Sequence, residues 1–163
     1  MSTLQRNRRA ALGLAVIIAS LLPALPASSA ESSSEPANIV VHVHNVAPQG
    51  TIRLGLYTEA SYPHDAATPV ASADLPARAG ETVIELQNIP PGTYAIETYQ
   101  DLNNNGRMDT SLIGLPKEPY GFSRDARPHL SKPRFDSVKF AVFAGRNDET
   151  VHMQNVSTLV ATK

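Results

Sequence analysis

The chain has 163 residues, no cysteine and no tryptophan, and 14 Lys plus Arg against 15 Asp plus Glu, for a net charge of −1 at pH 7. Disulfides and thiolate metal sites are therefore excluded, and no basic surface is left over for nucleic acid. The length suits one domain.

Residues 1–30 are predicted as a secretory signal peptide. Arg6, Arg8 and Arg9 form a positive start, Ala10 to Leu22 an apolar stretch, and Ser28-Ser29-Ala30 a small-residue cleavage site. A cut after Ala27 fits less well, because Leu25 would stand at −3. The apolar stretch is short for a bilayer span and is closed by Pro23 and Pro26. The expected product is a periplasmic or extracellular protein with no integral membrane span after cleavage. Removing residues 1–30 removes three arginines and no acid, so eleven cations face 15 acids and the net charge becomes −4. Such a surface disfavours nucleic acid and anionic membranes and suits cations. Residues 31–37 are polar and serine-rich and read as a flexible leader. Residues 38–163 form the expected domain.

Beyond the leader the apolar residues repeat at a period of two. Ile39, Val41 and Val43 alternate with Val40, His42 and His44. Gln49-Gly50 turns the chain, and Ile52, Leu54 and Leu56 give a second strand. A loop with Pro63 follows, then a weaker strand over 70–75 and, after Ala79-Gly80, another over 82–86. Asn88 to Gly92 is a tight connection in which proline fixes φ and glycine accepts positive φ. Thr93 to Gln100 reads as a strand, as does Phe135 to Phe143 through Val138, Phe140 and Val142. Gly145 to Asp148 reads as a turn before a last strand over 150–156. About seven short strands separated by turns predict an all-β, single antiparallel sandwich. One long irregular loop, residues 111–134, interrupts it. With four prolines and no period it reads as functional rather than as a linker, because Tyr120 and Phe122 need something to pack on.

Asn88-Ile89-Pro90-Pro91-Gly92-Thr93-Tyr94, between two strands, resembles the corner of transthyretin-like (prealbumin-like) sandwiches. Three motifs in order sharpen the likeness. They are Ile89 to Tyr94, Asp101-Leu102-Asn103-Asn104-Asn105-Gly106, and Gly114-Leu115-Pro116-Lys117-Glu118-Pro119-Tyr120-Gly121-Phe122-Ser123. Over roughly residues 38–156 the chain resembles a bacterial secreted family, domain of unknown function 2141. The resemblance implies an exported envelope β-sandwich and no established activity.

Asp101 to Asp109 carries the strongest chemical signal. A calcium loop draws ligands from positions 1, 3, 5, 7, 9 and 12, with glycine at 6. Asp101, Asn103 and Asn105 fill 1, 3 and 5, Gly106 fills 6, the Arg107 carbonyl stands at 7 and Asp109 at 9. Leu112 holds position 12, where a bidentate glutamate belongs, so a weak Ca2+ site of order 10⁻⁴–10⁻³ M is expected. Glu118 is the nearest acid to complete the shell. An ordinary Asn-Gly hairpin turn accounts for the same residues without metal.

His42 and His44 share one strand face and would begin a copper or zinc site if His64, His129 or His152 supplied a third ligand; a solvated face is the plainer reading. Lys117, Glu118, Tyr120, Phe122 and Arg124 would suit a glycan or an anionic small molecule, against a purely structural flap, and a glycan or an envelope protein is the expected partner. Ser123 lacks the second glycine of a nucleophile elbow. No zinc-protease or phosphate-loop motif is present. The expectation is a non-enzymatic binding or structural module with a weak calcium loop. A small envelope hydrolase using His129 or Asp125, or a transition-metal protein using His42 and His44, are the alternatives.

Overall fold

A computed structural model describes residues 35–62, 68–128 and 131–155. The expected signal peptide, most of the expected leader, His64 and His129 lie outside the described residues. Eight strands are present: β1 (Ala37–Val46), β2 (Thr51–Tyr57), β3 (Ala71–Pro76), β4 (Gly80–Ile89), β5 (Gly92–Asp101), β6 (Tyr120–Phe122), β7 (Phe140–Val142) and β8 (Gly145–His152). They form two sheets. The smaller has the order β4-β1-β8; the larger has the order β3-β2-β5-β6, with β7 on β5 beside β6. All pairings are antiparallel except β1 with β8, which run parallel. The all-β sandwich expected from the period-two pattern is therefore present, with that one parallel seam.

The core lies between the sheets because every second residue of each central strand is apolar. Ile39, Val41 and Val43 of β1 are fully buried, as are Ile52 and Leu56 of β2, Ile84 of β4, Ile96 of β5 and Val151 of β8. Each such side chain contributes about 1.5–3 kcal/mol by leaving water. At the Asn88–Gly92 corner, Tyr94 packs inward and its hydroxyl donates to the Pro90 carbonyl at 2.8 Å. Asn88 takes positive φ there, a conformation that asparagine tolerates.

Three boundaries differ from the sequence reading. Ala37 is buried and paired with both Ile89 and Gly145, so β1 starts where the leader was expected to end. The segment Gly145–Asp148 is strand rather than turn, and β8 ends at His152. Phe135–Val138 is one turn of helix, α1, closed by the Lys139 N–H on the Phe135 carbonyl at 2.8 Å. Its spacing brings Val138 into a second apolar cluster with Tyr62, Ala95, Tyr120 and Phe122, on the outer face of the larger sheet.

The long loop builds that cluster. Within it, β6 pairs with β5 as Tyr99 opposite Tyr120 and Glu97 opposite Phe122. Between them Gly121 faces inward; a Cβ there would lie 2.6 Å from Val151 Cγ1. Only a residue without a side chain lets β6 approach β8 this closely. Gly121→Val is expected to destabilise the protein by roughly 1–3 kcal/mol through overpacking. Urea unfolding followed by circular dichroism checks this; an unchanged midpoint would mean the contact is slack.

Candidate functional site

The loop after β5 is built around one buried carboxylate. Asp101 is fully buried. Its Oδ1 accepts the Asn105 N–H at 3.0 Å; its Oδ2 accepts the Gly106 N–H at 2.8 Å and Arg53 Nε–H at 2.8 Å. Burial opposes the charge on Asp101, but Arg53 and the two backbone donors outweigh it and hold the pKa below the usual aspartate range. Arg53 also pairs with Asp74 of β3. Gly50, at φ +75°, allows the approach from the other side, since a Cβ there would overlap the Asp101 carbonyl oxygen.

The other loop residues close on one another. Asn103 Oδ1 also accepts the Asn105 N–H at 3.1 Å, and Asn105 Oδ1 accepts the Arg107 N–H at 3.0 Å. The amides of Asn103 and Asn105 donate to the two oxygens of Asp109, at 2.7 and 3.0 Å. The four predicted side chains are thus brought together. Glu118 is not. It is buried, and it accepts the Leu102 N–H at 2.8 Å and the Asp109 N–H at 3.0 Å, so it clamps the two ends of the loop rather than completing a cation shell. Among the described residues no three His, Asp or Glu side chains are grouped to hold a metal ion. What the loop offers is two carboxylates and two amides.

The predicted contact surface divides. Lys117 and Arg124 are exposed, whereas Glu118, Tyr120 and Phe122 are buried. The aromatic residues are apolar plugs: though β6 is an edge strand, both rings pack with Tyr62, Ala95 and Val138. Ser123 is fully buried; its hydroxyl donates to the Val138 carbonyl and accepts the Ile96 N–H at 2.9 Å. Both hydrogen-bonding roles are structural. The exposed large apolar residues of this loop are instead Leu112, Ile113 and Leu115, in a hairpin closed by the Lys117 N–H on the Asp109 carbonyl at 2.8 Å.

On the outer face of the smaller sheet, His42, His44 and His152 stack in a row, with ring centroids 6.4 and 5.1 Å apart. His152 is the neighbour that the sequence could not place. The parallel register of β1 and β8 sets it beside His44. The end rings are held by carboxylates: His42 Nδ1 lies 2.7 Å from Glu81 and His152 Nδ1 lies 2.8 Å from Asp125.

A site the sequence reading missed lies on the outer face of the larger sheet. It is a groove of about 700 Å³. Its floor is made of outward-facing Arg53, Gly55 and Tyr57 of β2, Ser72 and Asp74 of β3, and Glu97 and Tyr99 of β5. Met108 to Pro116 form one wall; Pro128, Ser131 and Lys132 form another. Lys132 Nζ lies 2.6 Å from Glu97 Oε2 and 4.4 Å from the centre of the Tyr62 ring. Burial raises the pKa of Tyr57 and Tyr99, which are neutral phenols at pH 7. The alternation of Arg53, Gly55 and Tyr57 against Leu54 and Leu56 marks an outward face in the sequence, but not that a wall stands over it.

Two expected outcomes follow from this geometry. Arg53→Met leaves Asp101 charged and buried without its cation, at a cost of about 3 kcal/mol at pH 7. Because the folded-state pKa of Asp101 is depressed, its stabilisation is present above the unfolded aspartate pKa of about 3.9 and is lost as pH falls through the folded value. The gap between variant and wild type should therefore close below about pH 4 in thermal melts; a gap independent of pH would refute the role of the charge. Separately, the Tyr62 hydroxyl is buried with no hydrogen-bond partner among the described residues. Tyr62→Phe removes an unsatisfied group that costs about 1–3 kcal/mol, so its melting temperature should equal or exceed that of wild type.

Neither a curated protein nor a solved structure matches the chain, so the prealbumin-like comparison gains no support there. A family model described as an uncharacterized protein conserved in bacteria (DUF2141) matches residues 41–151, from the middle of β1 almost to the end of β8. The chain belongs to this family.

Proposed function

We propose that the protein is an exported, non-enzymatic binding module of the bacterial envelope, with a weak calcium loop at 101–109 that stiffens its contact surface. Export rests on the charged, apolar and small-residue succession of residues 1–30. Among the described residues no helix is long and apolar enough to cross a membrane. The partner class is a glycan or another envelope protein.

One observation carries the calcium reading: Asp109 is clasped by the amides of Asn103 and Asn105, next to the Asp101 carboxylate. An asparagine amide presents either its oxygen or its NH2 group to a neighbour. Turned over, both amides would give up the bonds that their oxygens accept from the Asn105 and Arg107 N–H groups and point oxygen at the Asp109 carboxylate, an arrangement that only a cation between them makes favourable. Asp101, Asn103, Asn105, the Arg107 carbonyl and Asp109 would then supply oxygens, and the remaining positions would be filled by water. The ion would order the loop and take no part in chemistry.

The engagement of Ser123 in two structural hydrogen bonds supports a non-enzymatic reading over a hydrolase. The His44–His152 stack is what favours a transition-metal protein as the second reading. Metal analysis of the purified protein separates calcium from copper and zinc.

Calorimetry and thermal melts with millimolar CaCl₂ test the calcium loop. Wild type is expected to bind and gain stability, with Kd of order 10⁻⁴–10⁻³ M. Asp109→Ala should lose the binding while remaining folded, because its side chain lies at the surface of the loop and Asp101 is untouched. Neither heat nor a thermal shift in wild type would end the calcium reading.

A further inference from the structure

We infer that the groove on the outer face of the larger sheet is a binding site for a neutral oligosaccharide. The inference rests on the binding-module reading and names its ligand. It places the contact on the outer face of the sheet, where Tyr120 and Phe122 are part of the lining and Lys117 is not.

Size comes first. A volume of about 700 Å³ falls in the range of small-ligand sites, roughly 300–1,000 Å³. Its lining is mixed: the rings of Tyr57 and Tyr99 stand among hydroxyls of Ser72, Thr110 and Ser131. Aromatic faces bind the C–H face of a sugar ring while the hydroxyls at its edge find donors and acceptors.

Charge decides what the ligand is not. Among the described residues every charged side chain facing the groove already has an opposite partner. Arg53 holds Asp101 and Asp74, and Lys132 holds Glu97. None of these leaves an uncommitted cation to take a carboxylate or a phosphate. An acyl chain fits no better, because it would strip water from both ion pairs and return no hydrogen bond. A polyol replaces that water with hydroxyls, and the carboxylates of Asp74 and Glu97 have lone pairs to accept them. A neutral sugar thus meets each feature of the lining.

Gly55 shows how the floor is shaped. Its virtual Cβ lies 2.7 Å from the Tyr57 ring, so the ring folds down over a position where there is no side chain. Any larger residue at 55 lifts Tyr57 into the groove. The atoms met are the far end of the Tyr57 side chain, which packs edge-on against Tyr62 on the outer face, so such a change fills the site and leaves the core facing the other sheet untouched.

The test is calorimetric and NMR titration of the full exported chain with neutral tri- to hexasaccharides of glucose, mannose, galactose and N-acetylglucosamine. A uronic acid oligomer and an uncharged short-chain detergent serve as comparison ligands. At least one neutral oligosaccharide is expected to bind, at least tenfold more tightly than the other two probes. Tyr99→Ala and Gly55→Val should each weaken it at least tenfold with the melting temperature retained within a few degrees, and Tyr99→Phe should keep it. No binding by any neutral sugar at millimolar concentration overturns the proposal, as does tighter binding of the uronate or the detergent. Affinity that Tyr99→Ala and Gly55→Val leave unchanged overturns it too. The calcium titration of the same sample is read independently, so loss of sugar binding with calcium binding intact removes the ligand class and leaves the calcium loop standing.

Discussion

A carboxylate with no exposed surface has no water to solvate it, so the protein must fill its acceptor positions. Asp101 is in that position, and the means by which it is satisfied organise one whole end of the molecule. The Asn105 and Gly106 N–H groups bend the chain after β5 into its tight corner. Arg53 reaches across from β2 and carries on to Asp74 of β3, so a single guanidinium ties three strands of the larger sheet to the loop. Such a buried pair contributes little net stability over an apolar replacement, but breaking it is costly. It therefore fixes position more than it adds free energy. Glu118 repeats the device from the far side of the loop, with one oxygen on the Leu102 N–H and the other on the Asp109 N–H. Two acids thus hold both ends of the segment that becomes a groove wall.

The same economy runs through the next residues. Glu118 clamps, Tyr120 and Phe122 plug, Gly121 makes room for Val151 and Ser123 joins β5 to α1. Pro119 lends its carbonyl to the Gln100 N–H at 2.8 Å. A stretch whose aromatic and charged residues suggest a contact surface is in fact a fastening strip. The groove-facing groups belong to strands whose other face makes the core. A rigid β scaffold positions them better than a loop would, because Arg53, Gly55, Glu97 and Tyr99 each have a buried neighbour on either side in the chain.

Strands with one face in the core could be read from the sequence because burial alternates with a period of two, and β1, β2 and β5 show that period plainly. The strand β6 could not, since all three of its residues are buried, Tyr120 and Phe122 on one face and Gly121 on the other, and no alternation of burial survives. The helical turn α1 was hidden for a related reason: Val138 and Val142 are both buried but in different clusters, which imitates one strand face. The loop was recognisable by its oxygen spacing, but its chief partner was not. Arg53 stands 48 positions before Asp101, and no local pattern announces a pairing of that separation. The groove was invisible for the same reason, because its floor joins three strands through register.

Loop and groove adjoin through one residue. Asp109 closes the 101–109 corner with its side chain, while its backbone N–H is held by Glu118 and its carbonyl by the Lys117 N–H. The hairpin that starts there carries Thr110, Leu115 and Pro116 into the groove wall. Anything that tightens the Asp109 clasp therefore acts at the base of that wall, and the wall can move only if Asp109 does. Order in the corner sets how steadily Leu115 and Pro116 stand over Tyr99. A weak cation of the kind proposed would be sufficient for such a role, because the clamp by Glu118 and the pair between Arg53 and Asp101 already hold the fold in place without it.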